Sequence, residues 1–152
     1  MTKREKHSHL VPAGHGYWWT DRLWAAAADL PIQTVPIDSI AEFDMDCWFR
    51  GKGPTCREVA EHARRINAAD LRYPVILSAD GSLMDGGHRI AKAFLLGEQT
   101  IRARRFVTDP EPDWIVPAES NRPGQDPGRC ECDADAAEIV HEGAPSRFVA
   151  DE

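Results

Sequence analysis

Apolar positions follow two different periods along the chain, and the change from one to the other is sharpest in the middle. Val75-Ile76-Leu77 is a short apolar, β-branched run that predicts a buried strand. Asp80-Gly81 is a hairpin-type turn signal, after which Leu83-Met84 resumes the apolar run. Asp85-Gly86-Gly87 then lets the backbone turn sharply, because glycine tolerates positive φ and leaves room for a close ligand. From His88 the period is helical: Ile90, Ala93, Phe94 and Gly97 fall at i, i+3, i+4 and i+7, and Gly97 fits a C′ terminator.

The same reading predicts the flanking elements. Residues 55–67 form a helix with a capping box, Thr55 at the N-cap and Glu58 at N3. Its apolar face is Cys56, Val59, Ala60, Ala63 and Ile66, so Cys56 reads as a small core residue. Arg57, His62, Arg64 and Arg65 lie elsewhere, as a solvated basic face or as contacts to a nucleic-acid backbone. Residues 17–30 predict a helix loaded with Tyr17, Trp18, Trp19, Leu23 and Trp24 and ended by Pro31. These aromatics either pack the helix onto the domain or make a wall for a nucleobase or partner chain. Residues 34–40 read as a strand and turn, and residues 100–107 as a closing strand. Arg102, Arg104 and Arg105 on that last strand suit an exposed, charged edge or an anionic partner.

Charge divides the chain. The net charge is −7, yet residues 108–152 carry 12 Asp/Glu against 3 Arg, while residues 1–107 carry 13 against 15 Lys/Arg. The expected organisation is therefore a polar, mobile arm over 1–16, one domain over 17–108, and an acidic, proline-rich tail over 109–152. The histidines of the arm, His7, His9 and His15, read as solvated because nothing in the sequence holds them in ligand geometry. In the tail, Asp113-Trp114-Ile115-Val116 predicts a short docked strand, residues 133–141 a short helix, and the rest disorder or extended packing. The tail could also engage a protein partner. Cys47, Cys56, Cys130 and Cys132 form neither a disulfide framework nor a C-x-x-C pair, and Cys130, Cys132 and His141 lack the spacing of a standard zinc site, so no metal centre is expected. No run suits a membrane span and no signal peptide is visible, which favours a cytoplasmic protein without a membrane partner.

The candidate chemistry sits at the glycine corner. A strand feeding a helix through glycines leaves free N–H groups at the helix start, and these suit an anion. His88 and Arg89 stand at that point, with Lys92 one turn further on. Arg89 either grips a phosphate bidentately or pairs with a nearby carboxylate within a buried turn. Upstream, Glu42, Asp44 and Asp46 place three carboxylates in one connection, as an acidic surface loop or as a source of one magnesium ligand or general base.

Asp85-Gly86-Gly87-His88-Arg89, followed by Ala91, Ala93 and Leu96-Gly97, resembles the signature of the ParB/sulfiredoxin-like superfamily. The resemblance takes in Val35-Pro36-Ile37-Asp38-Ser39-Ile40 as the opening strand and the 55–67 helix, and covers about residues 34–107. It implies a small mixed sheet flanked by helices, an α/β (α+β) domain, with a loop that holds nucleotide phosphates. Sulfiredoxins carry a catalytic cysteine directly before the His-Arg of this loop; here that position is Gly87, so the resemblance does not extend to that chemistry. ParB partition proteins continue into a DNA-binding domain that this acidic, proline-rich continuation does not resemble. The form looks closest to stand-alone ParB-like domains, among them free-serine kinases with an Asp-Gly-His-His-Arg loop, whose first histidine is Gly87 here. Those kinases use a glutamate shortly after the first strand, a place that falls at Glu42 or Asp44.

The implied function is nucleotide binding (ATP, ADP or CTP, with Mg²⁺) and phosphoryl transfer to a small-molecule acceptor, or NTP hydrolysis. Gly86 and Gly87 would offer N–H groups, Arg89 and Lys92 charge, and His88 a hydrogen bond or a proton; Asp85 would orient His88 or the metal, and Glu42 or Asp44 would act as base. The alternative is a non-catalytic module switched by nucleotide, or one binding nucleic acid through Arg64, Arg65, Arg102 and Arg104.

Overall fold

The computed structural model describes residues 4–118. In chain order these form β1 (Lys6–Val11), β2 (Gly14–Trp19), α1 (Thr20–Ala26), β3 (Ile32–Pro36), two 3-10 turns (Ile37–Ser39 and Ala41–Asp44), α2 (Cys56–Ala68), β4 (Val75–Leu77), β5 (Leu83–Asp85), α3 (Gly87–Leu95), β6 (Thr100–Arg105) and β7 (Trp114–Val116). This is a small α+β fold. Four strands make a mixed sheet in the order β3-β6-β4-β5, with β6 antiparallel to β3 and parallel to β4, and β4-β5 a hairpin. The other sheet, β1-β2-β7, is antiparallel throughout.

The three-residue run in β4 is apolar throughout because both of its faces are covered. Val75 and Leu77 join Ile37, Ile40, Ile90, Ala93, Ile101 and Ala103 in one core. Ile76 points the other way and joins Trp18, Leu23, Ala27, Met84 and Phe106. The mixed sheet is thus packed between α3 and the 3-10 turns on one side and α1 with the first hairpin on the other.

Several expectations change. Residues 6–11 form β1, where the sequence suggests a mobile arm; His7 and His9 share one face of that strand and lie against the Trp18 ring, at 6.0 and 4.5 Å between centroids. Tyr17 to Trp19 belong to β2 and only Thr20–Ala26 is helical. Large aromatic residues favour the pleated surface, where Tyr17 stacks on Trp114 at 4.9 Å and Trp18 turns inward, 2% exposed. The short docked strand expected over 113–116 is present as β7, which pairs with β2, and Asp113 accepts the Trp19 N–H at 2.9 Å, so the fold reaches past the expected boundary at residue 108. Strand β6 lies inside the sheet, so its arginines do not guard an edge. The tail beyond residue 118, with its expected helix over 133–141, lies outside the described residues. Among the described residues no helix is long and apolar enough to cross a membrane.

Helix α2 has the expected capping box: Thr55 accepts from the Glu58 N–H, and Glu58 accepts from the Thr55 N–H. Its rotation is not the expected one. His62 is the buried residue, at 5% exposure, while Cys56, Val59, Ala60 and Ala63 face solvent. A stripe of small side chains brings little apolar area, whereas the imidazole gains both a hydrogen bond and ring contacts described below.

Helix α3 begins and ends on left-handed glycines. Gly97, at φ +82°, closes a Schellman motif in which Gly97 N–H donates to Phe94 and Glu98 N–H to Ala93. Gly86, at φ +115°, does more: a Cβ there would lie 2.6 Å from Val75 Cγ1. Gly97→Ala, in open space, should cost roughly 1–2 kcal/mol of left-handed strain. Gly86→Ala should add about 1–3 kcal/mol of overpacking to the same strain. Urea denaturation of the two variants measures the difference, and equal losses would refute a rigid approach of the corner to β4.

Candidate functional site

The corner is built by the β4-β5 hairpin, which delivers the chain to Gly86 against Val75, and by α3, which leaves from it. No side chain caps α3 at its N-terminus. The Gly86 carbonyl accepts from Arg89 and Ile90, so the N–H groups of Gly87 and His88 precede the first intrahelical bonds. Those two donors and the helix dipole point into one small region.

Arg89 is committed to the protein. Its guanidinium donates to Asp85 at 2.5 Å, lies 5.1 Å from the Trp24 ring centroid, and is 16% exposed. Asp85 also accepts the Trp24 indole N–H at 3.0 Å. The Arg89 Nη2 atom sits 2.9 Å from where a Gly86 Cβ would be, so the charge lies directly behind the corner. Of the two sequence readings for Arg89, pairing with a carboxylate is the one realised. Asp85 correspondingly orients Arg89 and Trp24, not His88.

His88 turns instead to α2. Its Nε2 lies 2.9 Å from His62 Nδ1, one ring donating and the other accepting. Trp48 stacks on both imidazoles, 4.6 Å from His62 at 12° and 4.8 Å from His88 at 9°. Burial first, then the neighbouring His62, Arg65 and Arg89, bring the His88 imidazole down from 6.5 to about 4. His88 is therefore neutral near pH 7 and serves as a hydrogen-bonding group, with proton transfer requiring a strong driving force.

The loop that carries Trp48 is held by Asp46, which accepts the Phe49 N–H at 2.7 Å and the Gly51 N–H at 2.5 Å. These backbone donors keep the Asp46 carboxyl below its usual range. The Trp48 Nε1 atom comes within 3.6 Å of the Cβ position of Gly87, so the indole edge borders the open end of α3.

The remaining candidates disperse. Lys92 donates to the carbonyls of Asn67 and Ala69 at 2.9 and 2.5 Å, closing the C-terminal end of α2, and does not reach toward the corner. Arg102 donates to the Arg72 carbonyl and Arg104 to those of Ala27 and Ala28, where it closes α1. Arg64 pairs with Glu61 at 2.6 Å on exposed α2 surface. Arg65 is near enough to His88 to act on it electrostatically. Glu42 is half-buried with Oε2 enclosed and without a hydrogen-bond partner, while Asp44 is exposed. Their 3-10 turn packs on α3, Phe43 lying 5.3 Å from Phe94. Among the described residues no group of three or more His, Cys, Asp or Glu side chains is arranged to hold a metal ion.

Trp24, one of the aromatics that the sequence offered as a wall for a nucleobase, meets Arg89 and Asp85, and Trp48 and His62 join His88 although the sequence did not single them out for the corner. A histidine on the polar side of the 55–67 helix and an aromatic pair between Asp46 and Gly51 were the available signals. Their meaning depends on a neighbour distant in sequence.

The imidazoles make stability depend on pH. His7, brought to about 3 by burial and by His9 and His15, adds to His88 at about 4. Below the unfolded value of 6.5 the unfolded chain binds protons that the native rings refuse, so stability is full above that pH and falls as pH drops toward 4. Urea midpoints should decline from pH 7.5 to pH 5, and His88→Gln should flatten the decline. A wild-type profile level over that range would contradict the buried, neutral imidazoles.

In comparisons with known proteins, no family model, curated protein or solved structure matches this chain. What the site can do follows from its own parts: two uncapped N–H donors, the Asp85–Arg89 ion pair behind them, a hydrogen-bonded imidazole pair and an indole at the edge.

Proposed function

We propose that the domain binds the phosphates of a nucleotide at the N-terminus of α3. The observation that carries this reading is the uncapped helix start at Gly86, with Arg89 fixed directly behind it. Gly87 and His88 N–H groups would donate to phosphate oxygens. Arg89, its geometry set and its charge partly balanced by Asp85, would back the corner without contact. The neutral His88 ring would offer a further hydrogen bond. The resemblance to ParB-like domains supports the same corner.

Phosphoryl transfer is a second reading, favoured by one observation. The enclosed Oε2 of Glu42 has no hydrogen-bond partner, an unusual state for a buried carboxylate oxygen. Magnesium brought in with the nucleotide would neutralise phosphate charge in the transfer. Among the described residues, Glu42 would be the candidate to hold that ion or to accept the proton of an attacking hydroxyl.

Gly87→Asp tests the binding reading without endangering the fold. A Cβ at Gly87 meets nothing closer than 3.6 Å. A carboxylate in the first turn complements the helix dipole while repelling phosphate. The melting temperature of the variant should be equal to or above that of the wild type. The wild type should gain thermal stability with at least one of ATP, ADP, CTP or GTP plus Mg²⁺, through linkage, and the variant should gain none. A shift retained in the variant would remove the phosphates from this corner. Glu42→Gln should abolish turnover while keeping the shift; undiminished turnover would remove Glu42 from the chemistry.

A further inference from the structure

Trp48 is arranged as a platform. His62 and His88 lie nearly in one plane, 15° apart, with centroids 5.2 Å from each other. Both stack on Trp48. Rings on opposite faces of an indole would be separated by at least about 7 Å, twice the contact distance of stacked atoms. The two imidazoles therefore occupy the same face of Trp48. Phe49 stands perpendicular to the indole at 6.5 Å and nearer to His62, at 5.1 Å, so it lies on the side of the imidazole pair. Trp48 retains intermediate exposure. The imidazole pair supports the indole from behind, and Asp46 holds the loop in place through Phe49 and Gly51.

The position of this platform gives it meaning. The indole Nε1 edge borders Gly87, whose N–H is one of the two phosphate donors. We propose that the base of the bound nucleotide stacks on the outer face of Trp48. The ligand is then a nucleoside polyphosphate in preference to a bare polyphosphate. This rests on the phosphate reading of the corner and adds a determinant that the corner lacks. Aromatic stacking accepts every base, because each has a π-face. Trp48 accordingly confers affinity for nucleotides as a class, and base choice falls to other groups.

Titration calorimetry with ATP, CTP, GTP, UTP and tripolyphosphate separates the two claims. The wild type should bind at least one nucleotide about tenfold or more tightly than tripolyphosphate, the gain that a base stacked on an aromatic ring supplies. Trp48→Leu should remove that gain, so that nucleotide and tripolyphosphate bind alike, and Trp48→Phe should retain part of it. Tripolyphosphate binding that is lost in Gly87→Asp but equals nucleotide binding in the wild type would overturn the platform and leave the corner standing. Absence of binding by all five probes would overturn both. The wild type labelled with 5-fluorotryptophan gives a reading independent of how the leucine variant folds. The ¹⁹F resonance that disappears in Trp48→Phe should move upfield with nucleotide and much less with tripolyphosphate. Equal movement with both would also count against the platform.

Discussion

The approach of the Gly86 backbone to Val75 is the constraint on which the rest of the structure depends. Val75 is fully buried in β4, so the contact ties the corner to the centre of the core. A left-handed residue without a Cβ is required there, and glycine meets both demands. Once the corner is placed, α3 must leave across the face of the sheet that presents Val75, Leu77, Ile101 and Ala103. Its N-terminus must then open at the end of β5. Close packing, an uncapped helix start and a half-buried guanidinium are consequences of one backbone geometry.

Around that corner the side chains divide into two sets. Asp85, Arg89 and Trp24 lock the corner from behind through an ion pair, an indole hydrogen bond and a cation–π contact. A half-buried ion pair of this kind specifies geometry more than it adds stability. Trp48, His62 and His88 form the other set, on the side of α2, where the two imidazoles share a hydrogen bond and stack on the indole. The first set supplies field and rigidity; the second supplies surface and hydrogen bonds. Elsewhere Lys92 closes α2 and Arg104 closes α1 through backbone carbonyls, while Arg64 pairs with Glu61.

Local signals were legible wherever a short stretch contains both the cause and the effect. The Thr55-Glu58 capping box, the Asp80-Gly81 hairpin and the Gly97 terminator each involve residues within a few positions of one another. The α3 face and the β4 run were legible for the same reason. The first hairpin was not. Its histidines are polar in isolation and become core-facing only when Trp18 is folded beneath them. The rotation of α2 was likewise hidden, because a small-residue stripe resembles a core face until His62 finds His88.

The sequence by itself determined the existence and order of the central strand, hairpin, glycine corner and helix, and with them the location of the candidate site. Backbone conformation at Gly86, helix capping and apolar period are short-range properties, and short-range physics can be read from neighbouring residues. Only the tertiary structure decided what each charged or aromatic side chain does there. Arg89 turned to Asp85, Lys92 to the end of α2, and Trp48 came from a distant loop to stand at the helix start. Long, flexible side chains choose among partners by proximity and desolvation, and both are properties of the assembled fold.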